Sequence, residues 1–404
     1  MRIIGSLLDL DFYKLTMGQA VFKLYPKVVV KYAFKNRTKK VRLGEHIREA
    51  DLRAELDYVR TLRFTEEELD YLRKLRILGE RVFAEDYLRF LGALRLPDYD
   101  LRLDRGEIVL EFPGLWSEAI YWETIALAIA NELYYRSTTR KRGRLYGAGM
   151  VRLDAKIRVL REHPEITFLE FGTRRRFSGK WQHNVTETLA SELPRQMIGT
   201  SNVLLAKQLE IAPKGTVAHE WFMVIAGIFG QYNDLLHFSH YQALDDWWHF
   251  YGAKLSIALT DTFGTRFFFE SMDLKQAERW TGLRQDSGDP FVFGESAIKF
   301  YEKHGIDPRE KLIVFSDGLD VDLVVKLHEH FKGRIKTTFG WGTNLTNDLG
   351  PEPLSLVIKA VEAEGRGLVK LSDNLAKATG RPEDVERYKR VFGYTNDSSS
   401  ECRY

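Results

Sequence analysis

Apolar and polar positions along the chain follow two rhythms. In the first part the pattern is mixed. Residues 28–34 (VVVKYAF) are β-branched and aromatic and predict a strand. Residues 52–62 and 66–78 carry apolar positions at helical spacing, and Thr65 followed by acidic residues marks the start of the second helix. Residues 104–112 (DRGEIVLEF) predict a turn running into a strand. Residues 115–135 predict one long apolar helix, broken in polarity by Glu118, Glu123, Asn131 and Glu132. The second rhythm consists of short apolar runs at 166–171, 196–199, 215–218, 256–260, 282–284, 311–315, 336–339 and 355–360, most of them separated by helix-length segments. Buried parallel strands alternating with helices give this pattern. Eight such runs predict an irregular (β/α) barrel, with an open doubly wound α/β sheet as the alternative.

The residues just after these runs carry chemistry. In order they are Gly172-Thr173-Arg174, Thr200-Ser201-Asn202, His219-Glu220, Asp261-Thr262, Gln285-Asp286-Ser287, Ser316-Asp317-Gly318 and Gly340-Trp341-Gly342-Thr343. One polar residue after a strand is usually a turn or a helix cap. Seven such ends in series predict an active site at the strands' carboxyl ends.

Composition narrows the field. Of 404 residues, 44% are hydrophobic, which gives a sizeable core and excludes a disordered chain. Sixty basic against 57 acidic residues leave a net charge of +3, too small for a generic nucleic-acid binder. The single cysteine, Cys402, excludes an intrachain disulfide and a cysteine-rich metal site. No apolar stretch approaches the roughly 20 residues of a membrane-spanning helix. Asp9 and Asp11 interrupt the apolar run 3–10, so no signal peptide is expected there. A cytoplasmic protein without membrane or nucleic-acid partners is expected. The basic stretch 139–144 (TRKRGR) reads as a solvated surface loop, and the polar tail 395–404 as frayed.

Several residues stand out as candidates. Arg174 heads three consecutive arginines, whose planar forks suit phosphate or carboxylate. The small residues of Ser316-Asp317-Gly318 and Gly342-Thr343 would let backbone N–H groups approach a phosphate; paired tight turns are the plain alternative. Arg284 and Asp286 place a cation beside a carboxylate suited to sugar hydroxyls or a Mg²⁺-bound water, against an Asx-turn alternative. A lone histidine is more often a satisfied core group. His219, however, follows an apolar run, and a neutral imidazole nitrogen can accept a phosphoryl group. It is no zincin histidine, because no second histidine stands four residues later. His237 and His240 have metal-ligand spacing, but their aromatic surroundings favour helix packing. The chain has neither a P-loop nor a glycine-rich dinucleotide fingerprint.

The motifs LLDLDFYKLTMGQA (7–20), EFGTRRR (170–176), GTSN (199–202), GTVAHEW (215–221), RQDSGDP (284–290), FSDGLD (315–320) and FGWGTNLTND (339–348), in this order, resemble the nicotinate phosphoribosyltransferase family. The resemblance implies an amino-terminal α/β domain, 1–135, joined by residues from about 366 to 404, and a barrel, 136–365, carrying the site. It implies transfer of phosphoribose from phosphoribosyl pyrophosphate to nicotinate, with Mg²⁺ on the phosphates and no dedicated protein metal site. ATP hydrolysis is implied to couple through a phosphohistidine at His219. The implied substrate residues are Tyr13, Phe171, Arg174, Thr200, Ser201 and Asn202. Ser316, Gly318, Gly342 and Thr343 would hold the 5′-phosphate, and Arg284 and Asp286 would serve catalysis. A homodimer is implied, with Tyr13 stacking on the pyridine across the interface. The uncharged Ser201 favours nicotinate over its amide, since related nicotinamide enzymes carry an acid there. Nicotinamide phosphoribosyltransferase and a non-catalytic phosphosugar-binding barrel are the alternatives.

Overall fold

The computed structural model describes residues 2–139 and 141–395. Its packing divides into two units. One comprises Met1–Pro164, Leu169–Gly215 and Trp341–Lys359, and the other Glu165–Phe168, Thr216–Gly340 and Ala360–Tyr404. This differs from the expected division. The helix Trp122–Thr138 runs through the expected boundary at 135, and the residues from Ala360 on group with the second unit.

In the first unit the strands Val29–Asn36, Glu107–Leu115 and Asp100–Asp104 pair antiparallel, with Tyr32 opposite Phe112 and Leu101 opposite Leu110. Alternation puts Val30, Tyr32, Ile108, Leu110 and Phe112 on the buried face. Arg105 and Gly106, at φ 49° and 82°, form the two-residue turn whose twist matches the strands it joins. The helix Glu66–Lys74 opens on a reciprocal cap between Thr65 and Glu68, as expected, but it stops early. Leu78 and Gly79, both at positive φ, turn the next residues into a small hairpin, Arg76–Ile77 with Glu80–Arg81. The long helix expected at 115–135 is two, Trp116–Ala119 and Trp122–Thr138. Of the basic stretch, Arg142 and Arg144 begin the helix Arg142–Glu162 rather than a loop, and residue 140 lies outside the described residues. The polar tail expected to fray lies, from residue 396 on, outside them too.

The second unit contains the parallel strands Ile257–Leu259, Gly282–Gln285, Leu312–Phe315 and Lys336–Trp341, adjacent in that order. Helices Thr265–Ser271, Pro290–Lys303 and Val321–Phe331 come after the first three. All four residues of Gly282–Gln285 are buried, as in a strand covered on both faces. Gly282 is required there, because a Cβ would lie 2.0 Å from the Leu312 carbonyl oxygen. The runs at 166–171 and 196–199 also yield strands, Phe168–Glu170 and Met197–Thr200. Two runs depart from the expected parallel series. Residues 215–218 form no strand; they lead directly into the buried helix His219–Phe229. Leu356–Ala363 is a strand but pairs antiparallel with Arg366–Gly367 through a turn at Glu364 and Gly365. The fold is thus α/β, with a parallel-sheet part and an amino-terminal part. Among the described residues no helix is long and apolar enough to cross a membrane.

His240, on the helix Asn233–Tyr251, is a core residue as its surroundings predict. It stacks on Phe222 at 5.4 Å and meets Phe263, Phe267 and Phe268 edge-on, and neither ring nitrogen has a hydrogen-bond partner among the described residues. Burial, helped by His237, lowers its pKa from 6.5 to about 3. As pH falls below 6.5, the unfolded chain takes up this proton while the folded chain refuses it. Stability is therefore complete above that pH and is lost on acidification. The loss from this group is on the order of 2 kcal/mol at pH 5. His240→Phe should flatten the acid limb of Tm against pH in scanning calorimetry; parallel curves for variant and parent would contradict this.

Candidate active site

In the second unit a charged cluster is built around His219, the first residue of a helix that is buried almost throughout. Its Nδ1 lies 3.0 Å from Thr262 Oγ1. Its Nε2 lies 2.9 Å from Asp286 Oδ2 and 2.9 Å from Lys370 Nζ, with Asp261 Oδ1 at 3.6 Å. A neutral imidazole carries one N–H, so it satisfies these neighbours in two ways. With the proton on Nε2, it donates to Asp286 and Nδ1 accepts from the Thr262 hydroxyl. With the proton on Nδ1, it donates to Thr262 and Nε2 accepts from Lys370. Burial first, and the Lys370 ammonium second, lower the His219 pKa from 6.5 to about 4, so the ring is neutral at pH 7.

The carboxylates stay ionised. Burial alone would push Asp286 up, but the His219 hydrogen bond and Arg284 hold it well below the ordinary range. Asp261 is likewise pushed up by burial and brought below its usual value by Lys370 and His219. Ser287 Oγ donates to Asp261 Oδ2 at 2.5 Å, and Ser316 Oγ donates to Asp286 Oδ1 at 3.1 Å. Lys377 donates to the Asp286 carbonyl at 3.0 Å and pairs with Asp317. Gly318 takes φ 61° in the loop after Leu312–Phe315. Arg284 Nη1 donates to Thr216 Oγ1 at 2.6 Å, while its buried Nε has no hydrogen-bond partner among the described residues.

His219, Asp261 and Asp286 could together face a metal ion. Lys370 Nζ already supplies positive charge beside His219 and Asp261, 3.4 Å from Asp261 Oδ2. A hard cation such as Mg²⁺ prefers oxygen. Asp286 and Asp261, whose buried Oδ1 has no hydrogen-bond partner among the described residues, offer it. A hard cation would therefore meet these two carboxylates in preference to the imidazole.

The first unit gathers a different set. Glu123, on Trp122–Thr138, is surrounded by Lys14 at 2.6 Å, Arg174 at 3.3 Å and Lys359 at 3.7 Å. Burial raises its pKa, but the three cations override this and hold it down at about 2. The Tyr13 hydroxyl donates to Glu123 Oε2 at 3.4 Å, within the same chain. Phe171 and Gly342 lie together: a Cβ on Gly342 would stand 3.2 Å from the Phe171 carbonyl oxygen. Thr343 opens the short turn Thr343–Thr346 just after.

The GTSN residues are more tightly engaged than the sequence suggests. Thr200 Oγ1 donates to Glu170 Oε2 at 2.5 Å. Asn202 donates to Asp9 Oδ1 at 2.7 Å and caps Val203–Gln208 through its oxygen. Ser201 Oγ donates to Asp11 Oδ1 at 2.7 Å, so an acidic group does stand at this place. Burial pushes the Asp11 carboxyl up.

The three arginines divide. The Arg174 side chain is 33% exposed. Arg175 donates to the Leu356 carbonyl at 3.4 Å. Arg176, 2% exposed, grips both Asp9 oxygens at 2.6 and 2.7 Å.

Sequence reasoning missed Lys14, Glu123, Lys359, Lys370 and Lys377 as site residues. A carboxylate inside an apolar helix was a usable signal for Glu123. Lys370 stands at no strand end, and the fold brings it in from 151 residues away.

Fold and cluster together define an α/β enzyme with its reactive groups grouped around strand ends. Comparison with known proteins agrees. The nicotinate phosphoribosyltransferase (NAPRTase) family profile matches residues 166–396, and that of the NAPRTase amino-terminal domain matches 8–131. The crystal structure of nicotinate phosphoribosyltransferase from Porphyromonas gingivalis is 34% identical, with a TM-score of 0.88 over 97% of this chain and 100% of that one. The Vibrio cholerae enzyme is 33% identical, with a TM-score of 0.87 over 98% of this chain and 95% of its own. The chain belongs to the nicotinate phosphoribosyltransferase family.

Proposed function

We propose that the chain forms nicotinate mononucleotide and pyrophosphate from nicotinate and phosphoribosyl pyrophosphate, with ATP hydrolysis coupled through phosphorylation of His219. In the transfer step the pyridine nitrogen bonds to C1 of the ribose while the bond from C1 to the pyrophosphate oxygen breaks. The nitrogen brings its own lone pair, so no general base is needed. Arg284 stabilises charge on the departing pyrophosphate, and Asp286 orients the ribose hydroxyls. Mg²⁺ bound to the phosphates supplies further charge neutralisation. Ser316, Gly318, Gly342 and Thr343 keep the phosphate role that the resemblance gives them. Arg174 takes the nicotinate carboxylate, with Tyr13 and Phe171 against the ring. Thr200 and Asn202 act as supports for Ser201. A homodimer belongs to the same proposal and is checked by sedimentation velocity.

The observation that carries the coupling is the neutral His219 with Nε2 between Asp286 and Lys370. With its proton on Nδ1 and donated to Thr262, His219 has a lone pair on Nε2. That nitrogen attacks the γ-phosphorus of ATP, ADP leaves with the electrons of the broken P–O bond, and Lys370 turns to the transferred phosphoryl oxygens. Water later takes the phosphoryl group and restores the imidazole. Incubation with γ-labelled ATP should give an acid-labile label that His219→Asn removes, and ATP should then no longer change the rate. A label that persists in His219→Asn would refute the assignment.

For the acceptor, nicotinate is favoured by the cations gathered near Arg174, where an amide would gain no charge pairing. Rates with nicotinate and nicotinamide on the same preparation decide this, and preference for the amide would overturn it.

A further inference from the structure

A cavity of about 830 Å³ lies in the second unit, walled by the helices Thr265–Ser271 and Pro290–Lys303 and by residues 392–395. This is within the size range of small-molecule sites. Phe267, Phe269, Phe293, Phe300 and Tyr394 give it aromatic walls. Its charges are unevenly satisfied. Glu270 pairs with Arg266 at 2.8 Å. Asp289 accepts from the backbone N–H groups of Phe291 and Val292. Asp373 accepts from Thr265 N at 2.8 Å and from Thr265 Oγ1 at 2.5 Å. Lys299 and Lys303, one helical turn apart on one wall, have no ion-pair partner among the described residues. Asp289 and Asp373 keep their charge, since backbone N–H and hydroxyl donors are neutral. Asp289, however, stands at the opposite end of the helix Pro290–Lys303 from Lys299 and Lys303, whose two ammonium groups lie together at the far end of the aromatic slot.

We propose that this cavity is a second ligand site, apart from the His219 cluster, for a small aromatic phosphate of nucleoside monophosphate type. The flat ring lies among the phenylalanines. Two lysines at i and i+4 meet a phosphate dianion, which has several oxygens to share, better than a single carboxylate. The floor gives the site a link to the chemistry. Ser287, which lines the cavity, accepts from the Asp373 backbone N–H at 3.0 Å and donates to Asp261, the neighbour of His219.

The test is calorimetric titration of the full chain with AMP, with adenosine and inorganic phosphate as separate arms. AMP should bind the parent; adenosine, which lacks the charge-assisted phosphate contact, should bind at least ~10-fold more weakly, and so should inorganic phosphate, which lacks the buried ring. Lys299→Ala/Lys303→Ala should weaken AMP at least ~10-fold by removing the charge. Ser296→Trp, on the same wall, should block the slot with both lysines in place. Circular dichroism melts establish that each variant is folded. No AMP binding to the parent overturns the proposal. So does AMP binding that survives both wall variants, and so does binding lost in Arg284→Ala but kept in the lysine variant, which would place AMP at the His219 cluster.

Discussion

Arg284→Ala should lower kcat by about 10²–10³-fold, the usual loss when one preorganised electrostatic group at a developing charge is removed. Arg284 is buried, its Nη1 donates to the neutral Thr216 hydroxyl, and its Nε has no hydrogen-bond partner among the described residues. Its charge is thus poised for an anion rather than consumed by the fold. Asp286 should lose part of what keeps it ionised, because Arg284 is among the groups lowering its pKa. The acid limb of the rate profile should accordingly shift to higher pH. Arg284→Lys should recover part of kcat, though not the fork geometry. Steady-state kinetics with varied phosphoribosyl pyrophosphate reads all of this, and a kcat within about threefold of the parent would defeat the assignment.

The second large effect concerns stability. Arg176→Ala should cost about 3–5 kcal/mol, because it leaves the buried Asp9 carboxylate without its cation. The same substitution two residues earlier, Arg174→Ala, should cost at most about 1 kcal/mol, since the residue is partly exposed and Glu123 keeps Lys14 and Lys359. It should instead raise KM for nicotinate about tenfold or more. Urea unfolding midpoints and nicotinate kinetics on both variants separate the roles. Pairing Arg176→Met with Asp9→Leu should recover much of the stability, as removing both charges of a buried pair does. Equal destabilisation by the two single alanine variants would erase the distinction.

That pair of arginines shows what a sequence can and cannot convey. Three arginines after a strand advertise an anion, but only the fold tells which of them already has one in Asp9. The run periodicity located seven of the eight expected strands. It failed at 215–218, where a short apolar run meets a helix that is itself buried and the two cannot be told apart by hydrophobicity. His219, Arg284 and Asp286 were legible because each stands at the end of an apolar run. Asp261 and Thr262 were visible as a strand end without a role. Lys359, inside the apolar run 355–360, and Lys370, between Val369 and Leu371, were not legible because a single lysine in an apolar run does not name its partner, and Lys377 looks like any solvated surface residue. In GTSN, residue types suited to a ligand turned out to hold Glu170, Asp9 and Asp11 in place.

The distance along the chain between His219 and Lys370 also has a consequence for synthesis. A ribosome adding about 5–20 residues per second reaches Lys370 roughly 8–30 s after His219. In the later part of that interval, once Asp286 has been added, the nascent chain holds His219, Asp261 and Asp286 without the ammonium that balances them. The cluster's charge is complete only once Lys370 has been added, so a chain released before that point would carry the histidine motif intact and still lack the cation beside it.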